Sequence, residues 1–233
     1  MGIKENIELI REKIRQSAEK VGRNPDEIIL LGASKTQPIE KIIEAYEAGL
    51  KYFGENRVQE GIKKIETIQE NYPNIKDIHW HLIGGLQTNK AKYAVKYFEL
   101  IHSLDREPLA DELDKRAKKI GKIQDCLIEV NIGEEDTKYG VKVEDLEKLF
   151  EYSLNKENLN ILGLMCIPPY SDNKENSRKY FAKLRELRDK LETKYNVKLP
   201  HLSMEMSNDY DVAVEEGATI VRVGSAIFGE REY

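Results

Sequence analysis

The stretch that decides the fold is Ile28-Ile29-Leu30-Leu31-Gly32-Ala33, which is followed at once by the polar residues Ser34-Lys35-Thr36. The first six residues are apolar on both parities, which is typical of a strand buried on its two faces. Pro38 then opens a helical pattern, and Gly49 closes it. A buried strand followed by a helix predicts a parallel sheet covered by helices.

The same unit recurs along the whole chain. An amphipathic helix with apolar residues at Ile3, Ile7, Ile10 and Ile14 precedes the first strand. The predicted strands are residues 28–33, 52–54, 78–83, 99–104, 126–132, 161–167, 201–204 and 219–223. Each strand but the last precedes a clear helix, and no Gly-, Ser- or Pro-rich linker divides the chain. We therefore expect one domain over residues 1–233, an α/β fold with a single (β/α)8 TIM-type barrel and an N-terminal helix, with an open doubly wound sheet as the alternative.

Composition and charge exclude several classes of protein. The 37 basic and 42 acidic residues leave a net charge of -5, which argues against a dedicated nucleic-acid binder. The basic pairs Lys63-Lys64 and Lys118-Lys119 lie beside acidic residues and predict solvated helix faces. No apolar stretch approaches the roughly 20 residues that span a bilayer. Because Cys126 and Cys166 lack CxxC partners, we expect reduced thiols and a cytoplasmic protein.

Lys35 is the first candidate for chemistry. In a (β/α)8 barrel the functional residues lie where the strands end and the βα loops begin. Lys35 follows the apolar first strand directly. A lysine in a partly desolvated barrel mouth can form a Schiff base with a carbonyl compound. The alternative is that Lys35 merely ends the strand and extends into water.

The end of the eighth strand supplies a second candidate region. Arg222 interrupts the apolar run of residues 219–223, where a buried guanidinium needs an acidic partner or a ligand. Gly224-Ser225 allows backbone N–H groups and a hydroxyl to approach an anion, and barrels often bind phosphate after strands seven and eight. Ser207, after strand seven, either caps a helix or joins that anion site. Together with Lys35, these residues suit the phosphorylated aldehyde pyridoxal 5'-phosphate (PLP).

The histidines favour a structural role over a metal site. His79-Trp80-His81 has the HxH spacing of metal hydrolases, and His102 lies on the fourth strand. His201, however, begins the seventh strand, at the opposite end of a barrel. No HExxH motif or Asp/Glu cluster completes a ligand set, so we expect no metal and hydrogen-bonded or buried histidines.

Four sequence motifs occur in order from the first strand to the C-terminus. They are LGASK at residues 31–35, FGENRVQE at 53–60, WHLIGGLQTNK at 80–90 and VRVGSAIFG at 221–229. In these motifs the chain resembles the pyridoxal-phosphate homeostasis protein family. The resemblance implies a single barrel, like the N-terminal domain of alanine racemase, that binds PLP without an established catalytic activity.

The resemblance also implies which residues hold the cofactor. Lys35 would form a covalent aldimine with PLP, Arg222 would face the pyridine nitrogen, and Asn56 and His81 would lie near the ring. The phosphate would be held by Ser207, Gly224 and Ser225. One departure is Glu205, which stands where the family usually has a glycine, in Ser203-Met204-Glu205-Met206-Ser207. It puts that loop's conformation and its charge near a phosphate in question.

The same residues bear on whether the protein is an enzyme. Alanine racemase uses a second base, a tyrosine from a separate domain, and this chain ends at Tyr233, shortly after the eighth strand. An arginine facing the pyridine nitrogen also weakens the cofactor as an electron sink. We therefore predict a non-catalytic protein that buffers PLP or delivers it to apo PLP-dependent enzymes, as a monomer, with a weak dimer as the alternative. The other hypotheses are a racemase-like enzyme that uses Lys35 with Tyr139 or Tyr210 as second base, and a Schiff-base aldolase acting on a sugar phosphate.

Overall fold

Eight parallel strands close into one barrel in the computed structural model, which describes residues 2–136, 139–205 and 210–229, with Glu205 described by its backbone alone. The strands are β1 (Ile29–Ala33), β2 (Tyr52–Glu55), β3 (His79–Leu82), β4 (Leu100–Leu104), β5 (Gln124–Glu129), β6 (Leu159–Cys166), β7 (His201–Glu205) and β8 (Ile220–Val223). Each strand pairs with its neighbours in chain order, and β8 pairs with β1. The closed barrel confirms the predicted fold and excludes the open sheet.

The helices surround this barrel. They are α1 (Ile3–Lys20), α2 (Ile39–Glu47), α3 (Val58–Asn71), α4 (Ala91–Tyr97), α5 (Glu107–Lys119), α6 (Leu146–Leu154), α7 (Glu175–Tyr195), α8 (Tyr210–Glu215) and α9 (Ser225–Phe228). The predicted N-terminal helix is confirmed as α1, which packs on α2, α8 and α9. The last strand also leads into a helix, the four-residue α9, which is too short to give a periodic pattern. In the described part of the chain, no helix is long and apolar enough to cross a membrane.

Two separate sets of buried apolar side chains form the hydrophobic core. The larger set lies between the strands and the helices. The smaller set contains Leu31, Ile83, Leu100, Leu127, Met165 and Ile220. Because side chains alternate along a strand, this smaller set marks the face of each strand that points into the barrel interior. On β1 that face carries Leu31 and Ala33, and on β8 it carries Ile220 and Arg222.

The strand boundaries differ from the predicted ones mainly at β5. The strand was expected at residues 126–132, but β5 ends at Glu129. Beyond it the chain folds back on itself, since the Val141 N–H donates to the Glu129 carbonyl and the Asn131 N–H donates to the Val141 carbonyl. Val130 and Ile132 are nevertheless buried. Their apolar character therefore reflects loop packing rather than continuation of the strand.

Candidate cofactor site

Lys35 lies at the carboxyl end of the barrel. It follows the end of β1 by two residues, in a turn, and its side chain is half-buried. Ala33, just before it, packs with the interior apolar set. Lys35 therefore lies at the barrel mouth, where barrel proteins place their chemistry, as the sequence predicted.

Arg222 places a guanidinium inside the same end of the barrel. Its backbone pairs in register with Leu31 on β1 and with Glu205 on β7. Ile220, two residues earlier, belongs to the interior set, so alternation directs Arg222 inward as well. Its side chain is only 2% exposed. The structure thus confirms a buried arginine near the end of β8, whereas its contact with a pyridine nitrogen stays a prediction.

The ends of β1 and β8 adjoin at Gly224. A Cβ atom added to Gly224 would lie 3.5 Å from the carbonyl oxygen of Ala33 and 3.6 Å from its Cβ, which are ordinary contacts. Gly224 has a φ of -113°, so its backbone conformation does not require glycine. Ser225 follows as the exposed first residue of α9. Lys35 and the Gly224-Ser225 backbone are therefore on the same edge of the barrel.

The segment after strand seven bears on the predicted phosphate site through Ser207 and through the departure from the family pattern at Glu205. Ser207 lies outside the described residues, so its place in a phosphate site stays a prediction. The backbone of Glu205 belongs to β7. The replacement of the family glycine is therefore accommodated in a strand backbone at this position.

Asn56 and His81 occupy different depths of the barrel. Asn56 follows β2 at the mouth and is partly exposed. The next loop packs tightly on it, because a Cβ atom on Gly84 would lie 2.1 Å from the Asn56 carbonyl oxygen. His81 lies within β3, two residues before the interior Ile83, and is buried. It is therefore one layer below the mouth, and its predicted proximity to a cofactor ring stays a prediction.

A chain of polar contacts crosses the barrel interior through His81. Its Nδ1 lies 2.9 Å from Nε2 of His102, and His102 Nδ1 lies 2.9 Å from the Ser203 hydroxyl. On the other side, His81 Nε2 lies 3.8 Å from a carboxylate oxygen of Glu99. Burial lowers the pKa of His81 and lowers that of His102 further, while the neighbouring imidazoles of His81 and His79 hold the pKa of Glu99 at about 2. The two imidazoles are therefore neutral at physiological pH.

These contacts also bear on the metal hypothesis. His79 directs its Nδ1 at Glu99, 2.7 Å away, rather than toward His81. Within the described ranges, no group of three His, Cys, Asp or Glu residues is arranged to hold a metal ion. The histidines that the sequence singled out are thus hydrogen-bonded to protein groups.

A buried charge cluster behind the Lys35 turn was missed by the sequence analysis. Lys64 was predicted to lie on a solvated helix face, and that prediction is wrong: the residue is 7% exposed. Its Nζ lies 2.8 Å from Oε1 of Glu55 and donates to the Ser34 carbonyl oxygen at 2.6 Å. The Ser34 hydroxyl also donates to Glu55. Burial raises the pKa of Glu55, although Lys64 and Ser34 act against that rise.

The helical spacing around Lys64 contained a signal for its burial. The buried face of α3 includes Gly61, Ile65 and Ile68, at spacings of three and four residues. Lys64 lies on this same face, one residue before Ile65. Its exposed neighbour Lys63 lies outside it. The helical periodicity could therefore have indicated that Lys64 is buried, but it does not identify Glu55 as the partner.

The two tyrosines proposed as second bases are far from equivalent. Tyr210 is buried at the start of α8, and Lys13 of α1 lies over its ring, 5.0 Å from the centroid. Tyr210 therefore packs in the outer helix layer, which removes it as a base at the barrel mouth. Tyr139 is exposed, and its ring lies 3.8 Å from the position of a Cβ on Gly85, in the loop after β3.

Comparison with known proteins identifies the family. The family model of the alanine racemase N-terminal domain matches residues 3–232. The pyridoxal phosphate homeostasis protein of Aquifex aeolicus is 56% identical over 229 residues, which is 98% of this chain and 98% of that protein. The chain belongs to the pyridoxal phosphate homeostasis protein family. A homeostasis protein of Vibrio alginolyticus is 41% identical and covers 99% of this chain, which itself covers 98% of that relative.

Solved structures agree with this assignment. PipY of Synechococcus elongatus, solved with PLP bound, superposes with a TM-score of 0.84 at 35% identity and covers 97% of this chain and 100% of its own. An alanine racemase of Clostridium difficile superposes with a TM-score of 0.70 at 15% identity, over 98% of this chain and 58% of the racemase. The racemase thus shares the barrel fold, whereas the homeostasis proteins match along their whole length.

Proposed function

We propose that this protein binds PLP through Lys35 and takes part in PLP homeostasis by holding and releasing the cofactor. The observation that carries the proposal is the meeting of three groups at one barrel edge: the Lys35 turn, the buried Arg222 and the Gly224-Ser225 backbone. Family membership, with PipY solved with PLP bound, favours this ligand over the sugar phosphate of an aldolase.

The chemistry of these groups fits the cofactor. PLP supplies an aldehyde for covalent attachment and a ring that withdraws electrons. Lys35 offers a primary amine at the mouth, and Gly224 leaves its backbone open to an anion. A guanidinium donates hydrogen bonds and has no acceptor atom, so an aromatic nitrogen facing Arg222 accepts a hydrogen bond and remains unprotonated. The three groups therefore match the aldehyde, the phosphate and the pyridine nitrogen.

We further propose that the protein does not turn over amino acids at a significant rate. Racemisation and transamination pass through a carbanion that a protonated pyridine nitrogen stabilises, and Arg222 disfavours that protonation. Tyr210 lies in the outer layer, which leaves Tyr139 as the second base of the racemase alternative. Exchange of the Lys35 amine for another amine remains chemically easy, and it is the step that a carrier requires.

The remaining parts of the proposal concern partners and location. A single barrel domain, acting as a monomer in the cytoplasm, would deliver PLP to apo PLP-dependent enzymes. Cys126 and Cys166 are buried thiols, which suits a reducing compartment. The acidic net charge of -5 disfavours nucleic acid as a partner.

The decisive experiment is to locate the cofactor on the purified protein. PLP is added, the near-visible absorption band is recorded, and borohydride reduction is followed by mass spectrometry of peptides. Lys35→Ala should lose the band completely, whereas Lys63→Ala, at an exposed position, should keep it. Label on another lysine in the native protein would overturn the assignment.

Turnover is tested on the same material. The PLP-loaded protein is incubated with alanine and serine, and enantiomer ratios and keto acids are measured. We expect release of PLP to an apo-enzyme without amino-acid turnover. Rapid turnover that is lost in both Lys35→Ala and Tyr139→Phe would replace the carrier proposal with the racemase-like one.

A further inference from the structure

The two peptide groups that flank Lys35 are both held by charged side chains of the next βα unit. On one side, Lys64 Nζ donates to the Ser34 carbonyl oxygen at 2.6 Å. On the other side, the Thr36 N–H donates to Oε1 of Glu60 at 2.8 Å. Lys35 therefore projects from a segment of backbone that is fixed immediately before and after it.

The charged groups that hold this segment are joined to one another. Lys64 Nζ lies 2.8 Å from Oε1 of Glu55 and 3.2 Å from Oε1 of Glu60. The Ser34 hydroxyl donates to Glu55 as well. Glu55, Glu60 and Lys64 thus form one ion cluster, in which the single cation bridges two carboxylates and the backbone. Hereafter these three residues are the Lys64 cluster.

The turn itself is held in an unfavourable backbone conformation. Thr36 has a φ of +63°, which is rare for a β-branched residue. Such a conformation is strained and persists only where the surroundings determine it. Because Glu60 accepts a hydrogen bond from the Thr36 N–H, the Lys64 cluster holds Thr36 in this conformation.

A buried ion cluster of this kind is not needed for the stability of the fold. Burying an ion carries a large desolvation penalty, and apolar side chains of similar volume often stabilise a fold equally well. Glu55 is fully buried and Lys64 nearly so. We propose that the Lys64 cluster positions Lys35 for covalent capture of PLP, so that Lys64, Glu55 and Glu60 are positioning residues of the cofactor site. This inference rests on the proposed function of Lys35.

The physical reason is the flexibility of lysine. Its amine sits on a four-carbon stem with many rotamers, so only a fixed backbone gives it a defined reach. Capture requires the Lys35 nitrogen to attack the aldehyde carbon, forming a C=N bond with loss of the aldehyde oxygen as water. A misplacement of about 1 Å can cost a reaction on the order of 100-fold.

The test separates positioning from mere folding by using two ligands. PLP can bond to Lys35, whereas pyridoxine phosphate has the same ring and phosphate but an alcohol in place of the aldehyde. Both dissociation constants are measured for the native protein, Lys64→Met and the control Lys63→Met, together with the pH midpoint of the absorption band. Lys63 is the exposed neighbour of Lys64 on the same helix, so Lys63→Met makes the same change of charge at an adjacent position.

We expect Lys64→Met to weaken PLP binding by about 10- to 100-fold and to shift the pH midpoint of the band, with pyridoxine phosphate affinity unchanged. Lys63→Met should resemble the native protein for both ligands. Equal weakening for both ligands would show a structural role only and overturn the proposal, as would no change for either. A native protein that forms no band with PLP would instead refute the proposed function.

A second variant keeps the proposal testable if Lys64→Met does not fold. Glu60→Gln preserves the shape of a side chain that is already partly exposed, and it removes the negative charge that binds the Thr36 N–H. It should slow borohydride-trappable capture of PLP while leaving pyridoxine phosphate binding unchanged. Capture at the native rate would contradict positioning through Glu60.

Discussion

The two ends of the barrel differ in how far a pair of polar or charged side chains is exposed to water. At the amino end, His79 and Glu99 form a pair with exposed side chains on β3 and just before β4. At the carboxyl end, Glu55 and Lys64 form a buried ion pair. Arg222 of β8 is also buried at this end. The pair at the amino end is therefore in contact with water, whereas the Glu55–Lys64 pair at the carboxyl end is removed from it.

This difference supports the proposal that the ligand binds at the carboxyl end. An exposed ion pair contributes about 0–1 kcal/mol and costs little to maintain. A buried charge costs several kcal/mol, and a fold selected for stability alone has no need of it. The carboxyl end bears this cost at both Lys64 and Arg222, next to the turn that carries Lys35. The following predictions test that contrast, beginning with the largest effect.

Removing the buried cation should have the largest effect on stability. Lys64→Met leaves Glu55 buried without its partner, so we expect a loss of about 3–5 kcal/mol in the free energy of unfolding. Glu55→Gln combined with Lys64→Met should recover much of that loss, because no buried charge then remains in the pair. Urea denaturation of the single and double variants measures both quantities. A double variant no more stable than Lys64→Met would contradict this account.

At the amino end the hydrogen-bonded pair of His79 and Glu99 should matter far less. Glu99→Gln removes the carboxylate that faces His79, and both side chains already contact water. We expect a loss of about 1 kcal/mol or less. If Glu99→Gln were as destabilising as Lys64→Met, the two ends would not differ as described.

Substitutions at two glycines, one near each end of the barrel, test the two ends through their backbone contacts. A Cβ on Gly84 would lie 2.1 Å from the Asn56 carbonyl oxygen, and one on Gly163 would lie 1.7 Å from the His201 carbonyl oxygen, at a φ of +155°. Alanine at either position should cost about 1–3 kcal/mol, because backbone must move. Only Gly84→Ala displaces the mouth, so it alone should weaken PLP binding when affinities are compared under fully folded conditions.

The neighbouring glycine supplies the control for this pair. A Cβ on Gly85 would meet only the Tyr139 ring, at 3.8 Å, which is an ordinary contact. Gly85→Ala should therefore change the free energy of unfolding by about 0.5 kcal/mol or less. Loss of PLP affinity in Gly163→Ala equal to that in Gly84→Ala would break the distinction between the two ends.

Acid should destabilise the protein through the interior histidines. His81 and His102 have lowered pKa values because they are buried, so the unfolded chain binds more protons than the folded one below its ordinary histidine pKa of about 6.5. Stability is then present above that pH and is lost as the pH falls through it, with up to about 1.4 kcal/mol per pH unit for each histidine. Urea denaturation at several pH values measures the slope.

The slope can be assigned to a single residue. His102→Gln removes one of the two protons taken up on unfolding, so the pH dependence should become shallower even if the variant is less stable throughout. His102 lies 2.9 Å from both His81 and Ser203, and glutamine can retain one of these contacts. An unchanged slope would show that His102 is already protonated in the folded protein.

Much of the fold and part of the site could be predicted from the sequence, for local reasons. The first strand is apolar on both parities, the later strands are short β-rich runs and the helices are amphipathic, so eight units were visible one after another. Lys35 and Arg222 were found because a charge at the end of an apolar strand is conspicuous. Both lie at the carboxyl end of the barrel in the structure.

The rest could not be predicted because it depends on contacts between distant elements. His102 and Ser203 are 101 residues apart in the chain and meet only once the barrel closes. Lys64 looked like any lysine on a charged helix, since its burial depends on Glu55 from the preceding strand and on the Ser34 carbonyl. Sequence patterns report which face of one element is apolar, but not which polar groups from other elements meet there.

The smallest effect on folding should come from Gly224, and it addresses the phosphate directly. Among the described residues, a Cβ at this position makes only ordinary contacts, with Ala33, so Gly224→Ala should leave the free energy of unfolding within about 0.5 kcal/mol of the native value. If the backbone of residue 224 lies against the PLP phosphate, the added methyl group should weaken PLP binding about tenfold, or about 1.4 kcal/mol. Pyridoxal, which has the aldehyde but no phosphate, should bind the variant and the native protein equally. Equal weakening for pyridoxal and PLP would mean that the methyl group disturbs Lys35 or the ring instead, and the Gly224 backbone would then not belong to an anion site.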